Sequence, residues 1–201
     1  MRISYSALDT YEQCPKKFHY QVIERVPALK SKEAIFGSIV HESLKYMFSR
    51  DPLFPTLEEV LSRFSGDFTT QKSVSDNEKA RYEELGRKIL TQFYKKNPPW
   101  VFQVIDTEAR FEATLDDSVY KTKHILVGKI DRIDKLEDGS IEIIDYKTSR
   151  RLPSQSSVDN NVQLAVYQLG LQKRWPHIEP ERFKLSLYFL RSGDVLSTRR
   201  T

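Results

Sequence analysis

The chain has 201 residues, 39% of them apolar and 11% aromatic, which is enough to bury one sizeable core and too much for a disordered chain. No run approaches the roughly eighteen apolar residues of a membrane span, and the single cysteine, Cys14, excludes an internal disulfide framework. Lys and Arg number 32 against 28 Asp and Glu, a formal charge of +4 that permits a polyanionic partner without demanding one.

The first hundred residues read as helical. Ser6 is placed to cap a short helix carrying Ala7, Leu8 and Tyr11, and Pro15 suits the first turn of the next. From Glu33 to Ser49, Ile35, Phe36, Ile39, Val40, Leu44, Met47 and Phe48 recur at helical spacing. Thr56-Leu57-Glu58-Glu59 has the form of a capping box opening a helix to Phe68. Ser75-Asp76-Asn77-Glu78 repeats it before a long helix that stops near Lys96, ahead of Pro98-Pro99. Gly66 to Ser75 is expected to be a loop.

The character changes at Trp100. Val101 to Leu115, Tyr120 to Leu136 and Ile141 to Thr148 are rich in β-branched and aromatic residues, with turns at Asp116-Asp117 and Glu137-Asp138-Gly139-Ser140. A serine-rich loop then leads to a helix over Val158 to Trp175, and Phe183 to Leu190 alternates as a half-buried strand. Helices, three strands, one helix and one strand predict an α/β chain, a mixed sheet with helices packed on it. A helical region over residues 1–99 and a sheet-containing core over 100–201 would together form one compact domain. The polar-aromatic start at Met1 is no secretory signal, so the expected compartment is cytoplasmic and no membrane partner is expected.

Four polar clusters stand out against this pattern. Gly37-x-x-x-His41 lies inside an apolar helix, where Gly costs roughly 1 kcal/mol against Ala and so suggests close packing. Gly128-Lys129-Ile130-Asp131-Arg132 sets an acid inside a strand, where Asp is disfavoured. Asp145-Tyr146-Lys147 ends an apolar strand, with Asp145 and Lys147 on one face and Tyr146 opposite. Gln163-x-x-x-Tyr167 is a polar pair at i and i+4 on a later helix. Each alone has an ordinary explanation: a satisfied core histidine, surface or strand-end ion pairs, a solvated glutamine. Two aspartates, a histidine and a lysine are also the groups that hold Mg2+ and handle a water beside a phosphate.

In this order and at these gaps, the four motifs resemble those of the RecB-like exonuclease branch of the PD-(D/E)XK nuclease superfamily, the type found as helicase-associated nuclease domains. The resemblance runs from Ser4 to about Gly193, and Cys14-Pro15-Lys16-Lys17-Phe18 fits it too. It implies a restriction-endonuclease-like fold, a mixed β-sheet core flanked by helices with an N-terminal helical region. It implies a metal-dependent deoxyribonuclease, an exonuclease on single-stranded DNA or duplex ends in repair or recombination. The alternative is a non-catalytic DNA-binding or docking domain of a helicase–nuclease complex.

Carried over residue by residue, the resemblance makes His41, Asp131 and Asp145 ligands of Mg2+ or Mn2+, with the Tyr146 carbonyl as a further one. Lys147 would handle the attacking water, making Asp131, Asp145 and Lys147 the catalytic set. Gln163 and Tyr167 would contact DNA or brace the site, and Glu108 matches a further acidic position around it. DNA and a helicase subunit or domain are the implied partners. Several relatives use a cysteine like Cys14 with three more near the C-terminus to hold an iron–sulfur cluster. Those three are missing, so no such cluster is expected within these residues, and Cys14 is expected to be a small buried residue. Either the cluster was lost or the chain was cut before it. Lys16, Lys17, Lys129, Arg132, Arg150 and Arg151 flank the motifs as candidate phosphate contacts, Arg150 and Arg151 foremost.

Turn chemistry adds an independent constraint. A two-residue turn at Asp138-Gly139 would set residue 131 opposite 146 and prevent Asp131 and Asp145 from sharing a face. A three-residue loop of Glu137, Asp138 and Gly139, with Gly139 left-handed in a G1 bulge, sets 131 opposite 145. The second register is the one a shared metal requires.

Overall fold

A computed structural model describes residues 2–71, 74–117 and 122–200. Strand β1 (Arg2–Ser4) is followed by α1 (Tyr5–Gln13), α2 (Pro15–Phe18), a π-helical turn (His19–Ile23), α3 (Lys32–Met47), α4 (Leu57–Thr69) and α5 (Asp76–Lys96). Then come β2 (Gln103–Asp117), β3 (Thr122–Lys135), β4 (Ile141–Lys147), α6 (Gln155–Asp159), α7 (Val162–Arg174), β5 (Phe183–Phe189) and β6 (Asp194–Arg199). The six strands form one mixed sheet. β2 and β3, β3 and β4, and β5 and β6 pair antiparallel, whereas β1 joins β3 and β4 joins β5 in parallel.

Helices cover both faces, so the strands are buried on both sides. Along β4 the side chains divide between two apolar clusters. Ile141 and Ile143 pack with Ala7 of α1 and with Leu164 and Leu171 of α7. Ile144 and Tyr146 pack with α3, α4 and α5 through Phe36, Val40, Phe64 and Phe93. Asp145 alternates onto the α7 side. The cap of α4 is the capping box read from Thr56 and Glu59, and α5 ends at Lys96 before the Pro99–Val101 turn.

Several expectations are corrected. The N-terminal region is not purely helical: Arg2 to Ser4 form a strand on β3, and Ser4, not Ser6, caps α1 through Ala7 N–H at 3.2 Å. Gly66 lies inside α4, which runs to Thr69, and residues 72 and 73 of the expected loop lie outside the described residues. β2 continues through Asp117, so Asp116-Asp117 are strand and not the expected turn, and residues 118–121 lie outside the described residues. The helix expected over 158–175 is two helices, with Asn161 capping the second, and a further strand, β6, follows β5. Cys14 is exposed, not buried, and its Sγ accepts from Lys17 N–H at 3.4 Å as the cap of α2.

The β3–β4 register agrees with turn chemistry. Ile133 opposes Ile143 and Arg132 opposes Ile144, the register of the three-residue loop, and Gly139 has φ +77°.

Candidate active site

The sheet splits at the second motif. β2 lines one edge of β3 throughout, from Thr122 to Lys135. The other edge is shared: β1 takes Ile125 to Val127, and β4 takes Arg132 to Lys135. Among the described residues, Gly128 to Asp131 therefore have no strand on that edge. The two-residue alternation breaks there too. Ile130 belongs to the cluster on the α7 side, while Arg132 is buried on the opposite side against Phe48 and Phe102. Its neighbour on β2 mirrors the break: Glu108, between the paired residues Thr107 and Ala109, has φ 56°. Left-handed backbone in a non-glycine residue inside a strand is strained and needs support from its surroundings. Here it gathers two carboxylates at one gap.

Asp131 fills the gap with its own carboxylate. Oδ2 accepts the Tyr146 backbone N–H at 2.7 Å, beyond the last β3–β4 ladder pair, and Oδ1 lies 3.1 Å from His41 Nδ1. His41 comes from α3, on the other layer, where Gly37 lets that helix close on the end of β4. A Cβ at Gly37 would lie 3.2 Å from Thr148 Oγ1. Single atoms of His41, Glu108 and Asp131 lie within 4.8 Å of one another. Glu108, peripheral in the sequence reading, stands level with the other two and is also ion-paired with Lys129.

Asp145 faces α7. Its Oδ1 accepts from Tyr167 Oη at 3.1 Å and from Gln163 Nε2 at 3.0 Å, and Gln163 Oε1 accepts from Lys147 Nζ at 2.9 Å. Lys147 Nζ is 2.6 Å from Asp145 Oδ2, so this buried oxygen is held by the ammonium group. Burial pushes the Asp145 carboxyl above its ordinary range, with Lys147 opposing and Asp131 adding to the rise. Burial disfavours charge on His41, but the Asp131 hydrogen bond and the charges of Asp131, Asp145 and Glu108 outweigh it, and its pKa is raised. Burial and the Asp145 charge push the Tyr167 phenol up, so it stays a donor.

These groups fit a divalent metal. An imidazole and two carboxylates converge from three elements, and oxygen-rich sets of this kind suit Mg2+ or Mn2+.

Not every expected residue is gathered. Lys129 is bound to Glu108, and Arg132 is no phosphate contact: it is 3% exposed and pairs with Asp134. Arg150 and Arg151 are exposed beyond β4, outside the metal-ligand group. Sequence reasoning passes over Tyr5. It lines a cleft of about 810 Å3 with Ser4, Ser6, Lys129, Gln163 and Tyr167, and the charges of Lys147 and Asp145 act on its phenol. Its only sequence signal is a place beside Ser4 and Ser6.

The family model described as PD-(D/E)XK nuclease superfamily matches residues 2–199. A subunit of the ATP-dependent helicase/deoxyribonuclease of Streptococcus uberis (strain ATCC BAA-854 / 0140J) is 27% identical over 187 residues, 87% of this chain and 16% of that one. The protein of the same name from Streptococcus pyogenes serotype M49 (strain NZ131) is 26% identical over 165 residues, 77% of this chain and 15% of its own. This chain thus spans about a sixth of the relatives it matches.

Proposed function

Because the chain belongs to the PD-(D/E)XK nuclease superfamily, we propose that it is a metal-dependent deoxyribonuclease, an exonuclease on single-stranded DNA or duplex ends. The observation that carries this reading is Lys147, held by Asp145 and Gln163 beside the converging atoms of His41, Glu108 and Asp131. A module that only gripped DNA would gain nothing from acids turned toward phosphates.

His41, Glu108 and Asp131 would hold Mg2+ or Mn2+, with Asp145 Oδ2 and the Tyr146 carbonyl as further ligands. A bound ion of this kind lowers the pKa of a water and offsets charge building on a phosphate. Lys147 orients the attacking water with its ammonium group, whose position Asp145 and Gln163 fix from two sides. Gln163 spans the site by accepting from Lys147 and donating to Asp145, and Tyr167 donates to the same Asp145 oxygen, so both brace the site rather than reach for bases. The two relatives are named for a helicase and a deoxyribonuclease. That likeness supports DNA as substrate and a helicase domain or subunit as partner, and the proposal extends to a role in repair or recombination in a cytoplasmic setting. Among the described residues no helix is long and apolar enough to cross a membrane.

The test is cleavage of end-labelled single- and double-stranded DNA in Mg2+, Mn2+ or EDTA. Activity is expected with either metal, none in EDTA, and none in Asp131→Ala, Asp145→Ala or Lys147→Ala proteins that keep the parent's circular dichroism. Cleavage in EDTA or by the Asp145→Ala protein would end this reading. Binding without cleavage would leave the docking-module alternative.

A further inference from the structure

A second cleft, of about 710 Å3, opens at the end of β4 between α3, α5 and the turn after β5. Four cations line it: Arg81 and Lys88 of α5, Arg150 of the loop after β4, and Arg191 of the β5–β6 turn. None of the four has an ion-pair partner among the described residues within 4.0 Å. Two acids, Glu33 and Glu84, share the lining, so four cations face two carboxylates, and Glu33 also accepts from Tyr82 Oη at 2.9 Å. Arg191 is held in place, its Nε donating to the Thr148 carbonyl at 2.5 Å. Burial, then the charge of Arg150, lower its pKa, with Arg81 adding to the fall and Tyr82 and Glu33 opposing it. Thr148 lines the cleft and directly follows Lys147, so the cleft adjoins the end of the strand that carries Asp145 and Lys147.

We propose that this cleft is a phosphodiester-binding subsite that grips the backbone of single-stranded DNA next to the scissile bond, a proposal that rests on the nuclease reading above. Phe36 is fully buried and Tyr82 is half-buried with its hydroxyl bound to Glu33, so the cleft offers charge more than aromatic surface. The subsite therefore acts chiefly on phosphates. Its volume is that of a small-ligand site, suited to one or two nucleotides of an unpaired strand and not to a duplex.

The test uses the whole chain and the Arg81→Ala/Lys88→Ala double variant, which touches none of the metal-ligand residues. Fluorescence anisotropy with labelled oligothymidylate in EDTA reads binding without turnover. The variant should bind at least tenfold more weakly, and its plot of log K against log salt should be shallower by about 1.4, the release expected from two single-strand phosphates. Hydrolysis of the p-nitrophenyl ester of thymidine 5′-monophosphate in Mn2+, a substrate too short to reach the cleft, should stay within twofold of the parent. If the double variant misfolds, Arg150→Ala should show half the change in slope. Unchanged affinity and slope in a folded variant would overturn the subsite. So would polyglutamate of equal charge binding the parent as tightly as oligothymidylate. If the parent hydrolyses neither DNA nor the ester, the nuclease reading fails, and the binding data still judge the cleft.

Discussion

Arg132 reads as a phosphate contact because a basic residue follows Asp131, and burial is what sequence could not supply. Its guanidinium lies 4.1 Å from the Phe48 ring centroid and 4.5 Å from that of Phe102, and it donates to Tyr146 Oη at 3.2 Å and Asp134 Oδ2 at 2.5 Å. Two of this pair's atoms, Arg132 Nε and Asp134 Oδ1, are buried without hydrogen-bond partners among the described residues. Burial raises the Asp134 carboxyl above its ordinary value despite Arg132. The folded state therefore binds that proton more tightly than the unfolded chain does. The stability it lends is complete below the unfolded value and is lost as pH rises through the folded one. Relative to Asp134→Asn, the parent should lose stability as pH rises from about 4 and then level off, measured as urea midpoints. A rise with pH would show that the attraction of Arg132 outweighs burial. Arg132→Ala should cost about 3–5 kcal/mol, because it strands a buried carboxylate. Asp131, Asp145, Lys147 and His41 are legible as residue types at odds with their surroundings. Glu108 is harder to weigh, because a left-handed glutamate within a strand has no sequence signature.

At the scale of elements, packing around one aromatic ring connects the sheet to the site. Phe111 of β2 is wedged between β3 and α7, and a Cβ at Gly128 would lie 2.4 Å from its ring and one at Gly170 2.1 Å. The ring meets Tyr167 edge-on, with centroids 6.0 Å apart, behind the hydroxyl that holds Asp145. Gly170→Ala should therefore destabilise by about 1–3 kcal/mol through overpacking. In a Phe111→Ala background, where the obstructing ring is gone, the same change should cost less than half as much by chemical denaturation. Equal costs in both backgrounds would show that Phe111 is not the obstacle. The long amphipathic helices and the central strands are readable because each has a clear period. β1 is not, since three residues cannot show alternation. β6 is an edge strand with no fully buried residue, so its pattern is weak. The hairpin's turn is readable from Gly139, because left-handed backbone is what glycine supplies cheaply, but its register needs the further requirement that Asp131 and Asp145 share a face.

Across the whole molecule, the proposed ligands come from widely separated parts of the chain: His41 from the helical layer, Glu108 and Asp131 from two strands at the split in the sheet. No unfolded chain gathers them, so metal binds the native state and stabilises it by mass action. At a concentration of Mn2+ about a hundredfold above its dissociation constant the gain is about 2.7 kcal/mol. For a chain of this size that is a rise in Tm of about 5–10 °C. The rise should disappear on adding EDTA and should be mostly lost in His41→Ala and Asp131→Ala. It should persist in Lys147→Ala, because Lys147 is assigned to the water and not to the ion. Glu108→Gln separates the two pictures of that residue. If Glu108 is a ligand, the shift falls by more than half; if it serves only to pair with Lys129, the shift is unchanged. Scanning calorimetry of the five proteins with and without Mn2+ decides it. A parent whose Tm ignores the metal would dismantle the site, since three converging ligand atoms that bind nothing have no reason to hold a strained glutamate in place.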